Sequence, residues 1–181
     1  MQIRRFQHAD LDGIYAVFLA AVREGASRFY SAEDRQAWAP NDTPFPGWRD
    51  RLGDAIAYVA EDDGMICGFA SMTRDGHLDF LYVAPAQMGR GVAGQLYDAL
   101  MAEPELARLP GYDVQASHFS RRFLLKRGWQ DAPAATVERF GRALTVFHMR
   151  KEAGPAPVQA ERRKGVVRRA AAKVRQAAPK A

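Results

Sequence analysis

Cysteine is nearly missing from this chain: 181 residues carry one, Cys67. No disulfide can therefore form within the chain, and a reducing, cytoplasmic setting is the expectation. Cys67 lies in an apolar, strand-like run with nothing beside it to activate a thiolate, so it reads as buried filler. Long apolar runs are also missing. The start Met-Gln-Ile-Arg-Arg-Phe leads straight into patterned structure, which argues against a signal peptide and a membrane span and for a soluble protein. No internal repeat is present. No Gly-Lys-Ser or Gly-Lys-Thr follows a glycine turn, which excludes a P-loop. No metal is expected.

The formal net charge is +5, but it is unevenly spread. From Pro155 onward eight Lys or Arg (Arg162 to Lys180) face one acid, Glu161, a charge of +7 that leaves the body at −2. Gly154-Pro155-Ala156-Pro157 marks the break. Residues 1–151 are therefore expected to form one domain, and 152–181 a basic Ala/Lys/Arg-rich tail, disordered or partly helical. A helical Arg162–Ala177 would carry only a weak valine and alanine stripe, so its expected contacts are nonspecific, with anions or nucleic acid.

The body alternates helical and strand-like periods. Gln2–Gln7 reads as a strand; Asp10 reads as the N-cap of a helix burying Ile14, Val17, Phe18, Ala21 and Val22. Ser31 caps a second helix, Ala32–Ala39. Ile56–Glu61 and Ile66–Thr73 are joined by Asp62-Asp63-Gly64, a hairpin signal, and His77–Val83 follows another turn at Asp75-Gly76. A helix over Val92–Met101, a strand over Tyr112–Ala116, a helix over Ser120–Lys126 ended by Gly128, and strands at Thr136–Arg139 and Leu144–Arg150 complete an α+β domain with a mostly antiparallel sheet flanked by helices.

The segment from Leu78 to Tyr97 reads as strand, glycine-rich turn and helix start. Gly89, Gly91 and Gly94 let the backbone approach a ligand closely, and the first N–H groups of the helix have no partners of their own, so together they form a phosphate cradle. Arg90 adds a fixed positive charge. The spacing also fits the dinucleotide-binding pattern, with Asp113 near the distance for its acidic residue. That fold requires a doubly wound repeat, whereas here the turn follows an antiparallel meander.

Element order, Leu-Tyr-Val-Ala-Pro at 81–85, Gly-Arg-Gly-Val-Ala at 89–93 and Arg-Phe-Leu-Leu-Lys-Arg-Gly-Trp at 122–129 together resemble the GNAT superfamily of acyl-CoA-dependent N-acetyltransferases, over Met1 to about Lys151. Residues 27–31 with 37–40 resemble a bacterial subgroup whose substrates are mostly unassigned. The resemblance implies acetyl-CoA as co-substrate. Leu81, Tyr82 and Val83 would pair with its pantetheine. Met88, Gly89, Arg90, Gly91, Val92, Ala93 and Gly94 would hold the pyrophosphate, with Ser117 and Ser120 alongside. Met88 departs from the family's Gln or Arg at the first turn position, and Leu124 stands where the family has its tyrosine acid, leaving either another donor, with Tyr30, Tyr82, Tyr112 and Ser117 as candidates, or water and backbone alone.

Attack of an amine on a thioester needs positioning, an oxyanion donor and a route for the proton. Strand alternation puts His77, Asp79, Leu81 and Val83 on one face, so Asp79 and His77 are expected side by side as base candidates. Tyr30 and Trp38, with Phe29, Phe45 and Trp48, are expected to divide between an acceptor pocket and plain core. The resulting expectation is an N-acetyltransferase acting on a primary amine of a small molecule or protein by direct attack in a ternary complex. An acyl-CoA sensor with little turnover and a nucleic-acid-associated protein acting through the tail are the rivals, and a homodimer is a further possibility.

Overall fold

The computed structural model describes residues 1–139 and 141–153; the expected basic tail lies outside them from residue 154 onward, while its first residue, Glu152, belongs to the last strand of the domain. Among the described residues seven strands, β1 (Gln2–Arg5), β2 (Ile56–Asp62), β3 (Met65–Met72), β4 (Leu78–Val83), β5 (Gly111–Ala116), β6 (Gln130–Arg139) and β7 (Arg142–Glu152), are combined with five α-helices. These are α1 (Leu11–Ala20), α2 (Ala32–Trp38), α3 (Trp48–Gly53), α4 (Val92–Met101) and α5 (His118–Leu125). A π-helical turn, Ala21–Gly25, extends α1.

The strands form two antiparallel sheets ordered β1-β2-β3-β4 and β5-β7-β6. Among the described residues the halves are joined by one parallel bridge, His77 to Asp113. Beyond that bridge β4 and β5 share no ladder, so the mixed sheet is split.

Apolar residues on the two faces of the first sheet build two cores. One gathers α1 and α3 over Val59, Phe69 and Phe80, with Ile14, Phe18, Trp48 and Leu52 buried. The other gathers α4 over Met72, Leu78 and Val83, with Leu96, Leu100, Leu124 and Trp129 buried. Each such Leu or Phe contributes about 1.5–3 kcal/mol by burial, which fixes β4 between two packed layers. Cys67 is buried as expected, and burial pushes its thiol pKa up.

Several expectations are corrected. The first strand stops at Arg5, and Asp10 holds the N-cap position of α1 as expected but makes no side-chain cap bond to it. Its carboxylate instead accepts from the Gln7 N–H at 2.8 Å and from both terminal nitrogens of Arg4, each at 2.8 Å. Helix α3 was not foreseen at all. It is six residues long, with Gly47 as its N-cap, too short for a helical period to register. Helix α5 begins earlier than expected, after a Ser117 cap, and β6 is longer.

The correction that matters most is in β4. Met72 pairs with Leu78 and Ser71 with Phe80, so Asp79 is an extra, unpaired residue, a β-bulge. The bulge inverts the pleat. Leu78 joins Leu81 and Val83 on the α4 face, while Phe80 and Tyr82 face α1. His77 and Asp79 therefore do not stand side by side as simple alternation requires.

Candidate active site

Where β4 and β5 diverge, a cavity of about 610 Å³ opens. One wall is β4. The Ala84 N–H bonds the Cys67 carbonyl at 2.8 Å, and by the alternation of an antiparallel ladder Tyr82 and Phe80 also turn their backbone groups toward β3. Leu81 and Val83 turn theirs toward the gap, where β5 offers no partner. Both residues line the cavity, as does Tyr82.

At the end of β4 the chain makes a short turn, Pro85–Gln87, and enters α4 through Gly89 and Gly91, at φ 79° and 83°. Gly91 is the N-cap and has no side chain to bond the first N–H groups of α4. A Cβ on Gly89 or Gly91 would meet no protein atom within 4 Å. The turn thus presents open space and unpaired donors at the positive end of a helix, a setting suited to a phosphate group. Gly89, Gly91, Val92, Ala93 and Gly94 all border the cavity. The side chain of Val92 is buried in the core, so it is left with only its backbone to offer a ligand.

Two turn residues differ from the expectation. Met88 borders the cavity, but its thioether packs against Gly25, where any added side chain would collide with it. Arg90 is exposed and donates to Gln87 Oε1 at 2.9 Å, outside the cavity wall. The nearer cation is Arg127. A Cβ on Gly94 would fall 2.8 Å from its guanidinium, which pairs with Asp98 at 2.6 Å and lies over the Tyr97 and Phe123 rings.

The opposite wall is α5. Ser117 and Ser120 cap it reciprocally: Ser117 Oγ accepts from the Ser120 N–H, and Ser120 Oγ from the Ser117 N–H. Both line the cavity, and so does Leu124, which is fully buried. Arg122 and Lys126, four positions apart on α5, also line it and have no carboxylate partner among the described residues. Their i,i+4 spacing within Arg-Phe-Leu-Leu-Lys was the available signal, and it was missed.

The remaining polar groups gather near the start of the open β4 edge. Asp79 lines the cavity, with both carboxylate oxygens bonded to Arg51 of α3, one of them at 2.6 Å. Arg51 in turn lies 4.8 Å from the Phe80 ring centroid. Tyr82 Oη accepts from Trp38 Nε1 at 3.3 Å, and burial pushes the phenol up to about 12. Tyr30 Oη accepts the His118 N–H at 3.0 Å, and burial raises its pKa as well. Tyr30, Trp38 and Phe29 line the cavity, whereas Trp48 is core and packs on Phe45.

His77 is turned elsewhere. Its Nδ1 lies 2.7 Å from Asp113 Oδ2 at the bridge, off the cavity wall, because the bulge separates it from Asp79. Tyr112 is also excluded as a donor to this site, since its hydroxyl bonds the Leu106 carbonyl.

Residues 24–153 match the model of the acetyltransferase (GNAT) domain. The chain belongs to the GNAT family. It is 33% identical over 151 residues to the uncharacterized N-acetyltransferase YafP of Escherichia coli strain K12, covering 83% of this chain and 95% of that protein. The crystal structure of a GCN5-related N-acetyltransferase from Rhodopseudomonas palustris superposes with a TM-score of 0.77 at 30% identity, over 83% of this chain and 94% of that one. YncA of Salmonella typhimurium, solved with acetyl-CoA, shares the fold at a TM-score of 0.62 and 22% identity, over 86% and 95% of the two chains. As a GNAT protein the chain is an acyl-CoA-dependent N-acetyltransferase with acetyl-CoA as co-substrate. Among its described residues no helix is long and apolar enough to cross a membrane, and no cluster of metal-ligating side chains occurs.

Proposed function

We propose that the chain transfers the acetyl group of acetyl-CoA to a primary amine by direct attack within a ternary complex. The observation that carries this reading is the continuity of the cleft. The open β4 edge at Leu81 and Val83 leads directly to the uncapped start of α4, so one extended ligand meets peptide donors along its length and a helix terminus at its anionic middle.

Acetyl-CoA supplies the activated acyl carbon. The chain supplies alignment and electrostatics. A free N–H on the β4 edge, from Leu81 or Val83, donates to the carbonyl oxygen as charge builds there. The aromatic patch of Phe29, Trp38 and Tyr82 holds the body of the acceptor beside that edge. Two carboxylates line the cavity wall at this end, Asp79 and Asp34, the latter paired with Arg142 at 2.6 Å; Asp79 is the one on β4. With its oxygens held by Arg51, it takes the amine proton through a water rather than by direct contact. His77 keeps the two half-sheets joined.

The test is thiol release from acetyl-CoA with a panel of 2-phenylethylamine, tyramine, spermidine and a peptide with a free N-terminal alanine. Amine-dependent release that falls in Asp79→Asn supports the reading. Tight CoA binding with no release for any amine would favour a sensor instead.

A further inference from the structure

Leu124 occupies the α5 position from which the resemblance would supply the proton donor, and a buried leucine has no proton to give. Protonation of the departing thiolate still favours cleavage of the C–S bond. The cleft-lining hydroxyls identified from the sequence are those of Tyr30, Tyr82, Ser117 and Ser120. The two serines are committed to each other and to the first turn of α5, and a serine hydroxyl is far too weak an acid for this step. Tyr82 belongs to the aromatic packing of the α1 face, against Phe18 at 5.2 Å and Phe69 at 5.7 Å between centroids.

Tyr30, like Tyr82, accepts an N–H and keeps its own O–H, but it differs from Tyr82 in its place at the cleft and in the donor it faces. It sits beyond the π-helical turn that follows α1, on a segment that reaches across the mouth of the cleft to the start of α5. Phe29 there meets Phe119, and the Tyr30 ring meets His118. Its phenol oxygen accepts the His118 N–H at 3.0 Å and has the Ser117 hydroxyl as a second polar neighbour, so its own O–H is left to donate. The bond comes from the positive end of a helix, and such a bond favours the phenolate that remains after the proton has left.

We propose that Tyr30 is the proton donor to the leaving thiolate, taking over from the α1–α2 connection the task that Leu124 cannot perform on α5. The inference rests on the acetyltransferase reading. The amine forms the new C–N bond, the C–S bond breaks with its electron pair on sulfur, and the Tyr30 O–H proton goes to that sulfur. The proton shed by the amine leaves through the Asp79 side of the cleft, and water returns a proton to the Tyr30 phenolate. Protons therefore balance: one is lost by nitrogen and one is gained by sulfur.

A tether between the α1–α2 connection and α5 would use the same hydrogen bond, so the experiment separates the two roles. Tyr30→Phe removes the proton. His118→Pro keeps the phenol and removes the N–H, together with the imidazole that packs on Tyr30 and Phe147, at the first position of α5, where proline suits a helix and Ser117 before it is already extended. Both variants are assayed for thiol release with acetyl-CoA and the fastest amine of the panel, with CoA affinity and melting temperature measured alongside. Tyr30→Phe is expected to lower kcat about 100-fold, with KM for acetyl-CoA within about threefold, as for loss of a general acid. His118→Pro is expected to keep at least about a tenth of the wild-type rate. Equal losses in the two variants, or a Tyr30→Phe rate within about threefold of wild type, overturn the proposal while leaving the acetyltransferase reading intact. A wild-type chain that binds CoA and releases no thiol overturns both.

Discussion

Gly91→Ala is the most direct perturbation of the glycine turn, because its two effects can be measured apart. At φ 83° an alanine is forced into the left-handed region, which costs roughly 1–2 kcal/mol. Its Cβ meets no protein atom within 4 Å, so no steric term adds to that cost. Gly64, in the β2–β3 hairpin, provides a matched control: φ is 77° and a Cβ there also meets nothing. Both alanine variants should therefore lose a similar few degrees of melting temperature, about 2–4 °C per kcal/mol for a chain of this size. They should part in ligand affinity. Gly64 does not border the cleft, whereas the Cβ on Gly91 projects where a phosphate would sit and the strained backbone misaligns the first N–H groups of α4. A hydrogen bond to a charged acceptor contributes about 1.5–3 kcal/mol, so losing one weakens CoA roughly 10- to 100-fold. Calorimetric titration with CoA, beside thermal melts of both variants, makes the comparison. Equal CoA affinity in Gly91→Ala and Gly64→Ala, with both folded, would refute the assignment of this turn as the phosphate cradle.

Three further outcomes follow from particular groups. Arg122→Ala and Lys126→Ala should each weaken CoA more than dephospho-CoA, about fivefold apart in Kd by titration, since these two cations on the cavity wall have no carboxylate partner among the described residues and would be free to meet the terminal phosphate that dephospho-CoA lacks. Arg4 holds the Asp10 pKa below its usual value, so the stability from this pair is complete above the unfolded pKa of about 3.9 and is lost as pH falls through the lower folded one. Asp10→Asn should then cost about 2–3 kcal/mol at pH 7 in urea melts and flatten the acid limb of stability against pH. Truncation after Ala153 removes the +7 charge of the tail; thiol-release kinetics should stay unchanged, while any binding to a polyanion such as heparin, and its salt dependence, should disappear.

Much of the scaffold was legible because local rules and tertiary packing agree. Asp62-Asp63-Gly64 does turn the β2–β3 hairpin, with Asp63 and Gly64 both at positive φ. Ser31 caps α2 by accepting the Asp34 N–H at 3.1 Å. The meander, the glycine turn and the α4 start fall where the pattern put them, since each depends on neighbours within a few residues. The acceptor end was not legible, because its partners come from distant segments. Arg51 reaches Asp79 across 28 positions, and Tyr30 reaches His118 across 88. Neither contact has a periodic or compositional trace, and the helix that brings Arg51 is too short to leave one.

The bulge at Asp79 connects the legible and illegible parts of the site. An extra residue in one strand bends it and increases its local twist. Here that residue lies just beyond the His77–Asp113 bridge, the point where the half-sheets still touch, and everything after it on β4 stands apart from β5. The same irregularity brings Asp79 to Arg51 and places Leu81 and Val83 on an edge with no partner strand. A regular β4 would carry hydrogen bonding on into β5, and its backbone groups would be spent within the sheet. The feature that defeated the alternation rule is thus the one that leaves peptide donors free for a ligand, and the residue at the bulge borders the cavity it helps to open.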